Sequence, residues 1–320
     1  MRAPGILIAV ALWSWAASPV QAQIFHTWFG SSGNDTGGCG TASSPCKSLF
    51  FAIVQTAAGG EVQCKDATLL DDTNIVKSIT ITCDIPLSSN TNGAGPSFLS
   101  ISVGPNDAVV LRGLNFQGGE YNYNFSQPAI DFKGSGTLIL DNVKITGAYT
   151  SGVLFEPNGP ARLQISNSLF TRNGNLAGKT GAAIRVWPQG AGSARVHLDH
   201  VTAVDNAFGI AIDGTASSSG INATIADSAV SGNLSDGMIA TTDPGHAPVG
   251  VLATNIETTN NAYGIRSIGP NVTVRVENSK IVGNDTGLSN SGGGALLTFG
   301  NNAVRANGVD GAFSGPVGLQ

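Results

Sequence analysis

His197 and Asp199 stand two residues apart in the run Arg195-Val196-His197-Leu198-Asp199-His200, alternating with apolar neighbours. In a strand, alternate residues share a face, so both side chains point to the same side. An acid, an imidazole and a base on one rigid face have the makeup for proton abstraction beside a sugar carboxylate. Lys144 and Arg185 are the basic residues that border this patch if neighbouring units stack in register. His197, Asp199 and Lys144 are therefore the catalytic candidates. The competing reading is a solvated surface pair beside a bend histidine. His246, in DPGHAP, reads as a loop residue.

Binding chemistry has a second source in the aromatic residues. Tyr121 and Tyr123 lie in the insertion GGEYNYNF (118–125), and Trp187 ends a strand two residues after Arg185. Such rings stack on sugar rings, or else pack over structural edges. No metal set is expected, because neither an EF-hand loop nor a glycine-aspartate nonapeptide repeat occurs. With 16 Lys+Arg against 21 Asp+Glu, a nucleic-acid partner is not expected either.

These residues are positioned by a repeat. LQISNSLFTRN (163–173), VHLDHVTAVDN (196–206), ATIADSAVSGN (223–233) and VRVENSKIVGN (274–284) are four of its seven copies. Each opens with the apolar/polar alternation of a half-buried strand. The fifth position reads Asn142, Asn167, His200, Asp227, Asn255, Asn278 and Asn301, at spacings of 25, 33, 27, 28, 23 and 23 residues. Six residues later come Asn173, Asn206, Asn233, Asn261, Asn284 and Asn307, with Ala148 in the first copy, and a second short strand then opens with Gly. A unit of about 23 residues, with short strands and Asn/Gly bends, describes one turn of a parallel β-helix. Asn142, Asn167, Asn255, Asn278 and Asn301 form the expected structural column, their side chains bonding the amides of the next coil. About ten coils at ~4.8 Å would give a rod ~45–50 Å long. Asp141 then falls in the column of Asp199, two coils away.

The N-terminal quarter differs. Residues 1–22 carry Arg2, an apolar run from Ile6 to Ala17 and Val20-Gln21-Ala22, the layout of a cleaved export signal. The run is short for a membrane span, and export to the periplasm or extracellular space is expected. Cys39, Cys46, Cys64 and Cys83 allow three pairings in an oxidising compartment. The favoured one is Cys39–Cys46 with Cys64–Cys83, and zinc ligation is the rival. Ser44-Pro45 before CKSLFFAIVQTA reads as a helix start, and Gly59-Gly60 as its stop. This helix would cap the solenoid within a segment 23–62, leaving 63–320 as β-helix. The opposite end has no such helix, so self-association there is an expectation.

Composition agrees. The chain of 320 residues holds 43 Gly and only 12% charged residues, against ~25% in ordinary domains, with 41% hydrophobic residues. Disorder and collagen are both excluded by these values and by the lack of a triplet period. The segment PCKSLFFAIVQTAAGGEV (45–62) resembles the entry motif of right-handed parallel β-helix proteins of the pectin-lyase-like superfamily. Its cysteine layout is similar to that of small exported bacterial β-helix repeat proteins without an assigned activity. The resemblance implies an all-β, single-stranded right-handed parallel β-helix with an N-terminal capping α-helix. It also implies either a non-catalytic binder of glycan or another extracytoplasmic partner along the sheet face, or a polysaccharide lyase or hydrolase. Lyase-like activity would bring calcium; otherwise no cofactor is implied. The hydrolase signatures are missing: the only adjacent acids are Asp71-Asp72, and no Asn-Thr-Asp, Gly-His-Gly or Arg-Ile-Lys triplet occurs.

Overall fold

A computed structural model describes residues 24–66, 69–70, 73–84, 88–89, 99–117 and 127–318. Residues 1–22, where an export signal is expected, and the insertion bearing Tyr121 and Tyr123 lie outside the described residues.

Each coil follows from the alternation in its sequence. Val249–Thr254 buries every second residue, and its valines and Ala253 point into the bore. A bend leads to the short strand Glu257–Thr259, and a second turn leads to Tyr263–Ile268 on another sheet. Corresponding strands of successive coils pair in parallel, as in Gln164↔His197, His197↔Thr224 and Leu252↔Arg275. Among the described residues this gives one sheet of 18 strands and a second of nine. Among the described residues the second sheet holds nine rungs, so eight steps of ~4.8 Å make it about 38 Å long, while the first sheet stacks twelve from Ile24–Phe29 to Gly315–Pro316, around the ten or so expected. The bore is filled by Val, Ile, Leu and Ala, with Phe132 and Phe155 of adjacent coils stacked at 4.7 Å.

The two asparagine columns have different jobs. Asn142, Asn167, Asn255 and Asn278 hold left-handed backbone angles, φ between 47° and 52°, and their side chains are exposed. Asn301 does not share that conformation. The last coil has one extra residue in its bend, and Gly300 takes the positive φ instead. The continuous amide ladder is the other column. Oδ1 of Asn173, Asn206, Asn233, Asn261, Asn284 and Asn307 accepts the backbone N–H of the ladder residue one coil earlier, at 2.9–3.1 Å. Ala148 starts the ladder, needing only an N–H, and Asp310 ends it by accepting from Asn307. The stacking role expected of the bend column thus belongs mainly to the buried one. Beside it run Gly209, Gly237, Gly264 and Gly287. A Cβ on Gly237 would lie 2.8 Å from both Asn261 Nδ2 and the Gly264 carbonyl, so the ladder leaves no room for a side chain there.

At the N-terminal end the helix spans Leu49–Gln55. Its cap is Ser48, which accepts from Phe51 N, and not Ser44: Cys46 still forms a bridge with Phe29, so the chain cannot coil earlier. Leu49, Ala52 and Ile53 face the core, while Phe50 and Val54 are each 49% exposed. Cys39–Cys46 and Cys64–Cys83 are both bonded. At the far end Gly315–Pro316 pairs with Leu297 and Thr298 and covers part of the last rung. Among the described residues no helix is long and apolar enough to cross a membrane.

Candidate functional site

The outward face of the first sheet is built from rows that run along the rod. One row reads Thr137, Arg162, Arg195, Asn222, Gly250 and Thr273. The next, two residues along each strand, reads Ile139, Gln164, His197, Thr224, Leu252, Arg275 and Leu297. Together they floor an open trough of about 500 Å³ lined by Arg162, Gln164, Arg195, His197, Thr224 and Arg275, among others. Arg162 and Arg195 are direct cross-strand partners, and no carboxylate lines the trough. None of the three arginines, nor His197, forms an ion pair among the described residues. Glu277, two residues beyond Arg275, makes no ion pair with it. Adjacent like charges on a sheet repel, so the face is open to a ligand of opposite sign.

The expected catalytic trio does not assemble. Asp199 shares the strand face with His197, but its carboxylate turns to the bend and lies 3.0 Å from His200 Nδ1. Lys144 lies beyond the bend, in a row with Asn115 and Leu169, on a different facet. Asp141 does stand in the column of Asp199 with Ser166 between them. Hydrogen bonds from Asn167 and Ser166, aided by the Arg112 charge, hold its carboxyl below the usual range.

Arg185 and Trp187 come together on the second sheet, away from His197. The guanidinium sits 4.1 Å from the Trp187 ring centroid and donates to Asp213 at 2.8 Å. Arg266 repeats the arrangement, stacked on Tyr263 at 4.3 Å and bonded to buried Asp236, whose carboxyl is pushed up by burial. Arg185 and Arg266 of the second sheet are thus neutralised within the protein, whereas Arg162, Arg195 and Arg275 of the first form no ion pair among the described residues.

Two features escaped the sequence. Arg162 lies one residue before the first position of its repeat copy, so its row with Arg195 goes unseen unless each copy is extended upstream. Asp131 and Glu156, on adjacent coils of the second sheet, share Lys133 at 3.0 and 3.5 Å. Burial first, and the Asp131 charge second, raise the Glu156 carboxyl above its usual value.

A coiled rod with one unneutralised cationic face defines a class: solenoid proteins that present an extended surface. The family model for the right handed beta helix region matches residues 99–307. The chain belongs to this family. No curated protein matches it.

Proposed function

We propose that this is an exported, non-catalytic β-helix protein that binds an acidic polysaccharide along the outward face of its first sheet. The observation that carries the reading is the set Arg162, Arg195 and Arg275, joined by His197, facing solvent without an acidic partner. Successive coils stand ~4.8 Å apart, so Arg162 and Arg275, four coils apart, span about 19 Å. That length suits several units of a linear polyanion lying parallel to the rod. Guanidinium groups pair carboxylate and sulfate oxygens in a fork geometry, which favours this partner over a neutral glycan. The paired cysteines and the N-terminal sequence support an extracytoplasmic setting.

The direct test is equilibrium binding to polyuronate and to a neutral glucan at low and high ionic strength. Binding to polyuronate alone, weakened at least about tenfold by 0.5 M salt, is expected from a screened surface interaction. Equal affinity for the neutral glucan, or salt-independent binding, would sink the reading. Release of unsaturated ends from the bound polymer would instead establish the lyase alternative.

A further inference from the structure

The outward bend column departs from asparagine at two consecutive coils. Asn142, Asn167, Asn255 and Asn278 are interrupted by His200 and Asp227, all six with left-handed backbone angles. Asn serves this conformation as well as Asp or His does, so the bend itself does not call for the change. The same strand supplies Asp199 immediately before the bend. One ligand atom from each of Asp199, His200 and Asp227 lies within 4.8 Å of the other two. A separate hollow of about 440 Å³, off the arginine trough, is lined by His200, Asp227, Glu257 and Lys280.

We propose that Asp199, His200 and Asp227 form a binding site for a divalent transition-metal ion. Two carboxylate oxygens and one imidazole nitrogen suit Zn²⁺ or Mn²⁺, whereas Ca²⁺ takes oxygen ligands alone. Metal–ligand bonds of about 2.1 Å in tetrahedral geometry put ligand atoms about 3.4 Å apart, so the widest separation in the set closes by up to about 1.4 Å on binding. His200 and Asp227 are solvent-exposed and can make that adjustment. Water fills the remaining positions on the open side. The site does not depend on polysaccharide binding and stands or falls separately from it.

The test is titration of the metal-stripped mature chain with Zn²⁺ by calorimetry and with Mn²⁺ by electron paramagnetic resonance. One equivalent is expected to bind. His200→Asn and Asp227→Asn restore the residue that the column uses elsewhere, so melting without metal stays unchanged while affinity falls at least about tenfold. Asp199→Asn, which leaves the bend residues alone, is expected to weaken binding as well. His246→Asn is expected to leave it unaltered. No uptake by the wild-type chain, or undiminished uptake by His200→Asn, overturns the proposal.

Discussion

Glu156 and Asp131 hold two carboxyl groups against one ammonium, with Asp131 buried and Glu156 partly so. A carboxyl raised in the folded state holds its proton more tightly there than in the unfolded chain. Its contribution is therefore fully present below the unfolded value of about 4.3 and is lost as pH rises through the folded value. Glu156→Gln keeps the shape, cannot ionise and removes that loss. Melting temperatures across pH 4 to 8 are expected to show the variant gaining on the wild type as pH rises. A constant difference would contradict the assignment. Asp141 has the opposite sign: its lowered carboxyl stabilises the fold above about pH 4, and the contribution fades as pH falls through the folded value. The Glu156 arrangement was not legible in the sequence, because its partners lie 23 and 25 residues away on the previous coil and the loops between coils vary in length.

The elements are held by columns, and the two asparagine columns respond differently to substitution. Asn233 accepts from Asn206 N and Nδ2 at 3.0 Å, and donates to Asn261 Oδ1 at 2.9 Å and to the Ala203 carbonyl at 3.2 Å. Asn233→Ala strands several of these groups in the interior and is expected to cost about 3 kcal/mol. Asn255→Gly keeps the left-handed bend and exposes nothing new, so its cost stays under about 1 kcal/mol. Denaturant unfolding of the two variants measures the difference; equal losses would contradict the division of roles. The recurrence of Asn at both positions was plain in the sequence. Their roles were not, since one column answers to backbone φ and the other to side-chain amide stacking, and both demands are met by the same residue type. The helix start was misplaced by four residues for a comparable reason: Ser44-Pro45 has the right local chemistry, but the Phe29–Cys46 bridge keeps the chain extended until Ser48.

For the whole molecule, repetition made the architecture legible, and the glycine excess and charge shortage follow from it. Glycine borders the amide ladder where a Cβ has no space, and much of the exposed surface is Asn, Ser and Thr. The cationic face was only half legible, because it exists through register across coils rather than along the chain. The two sheets differ in their arginines: Arg185 and Arg266 are paired with Asp213 and Asp236 on one, while Arg162, Arg195 and Arg275 stand without an ion pair among the described residues on the other. Binding and stability should therefore separate. The most direct measurement takes polyuronate affinity and unfolding free energy for Arg162→Gln/Arg195→Gln and for Arg266→Gln. The first variant is expected to lose at least about tenfold in affinity with stability within about 0.5 kcal/mol of wild type. The second is expected to lose about 3 kcal/mol, because it leaves Asp236 buried without its partner, while affinity is retained. Undiminished polyuronate binding by Arg162→Gln/Arg195→Gln would contradict the account.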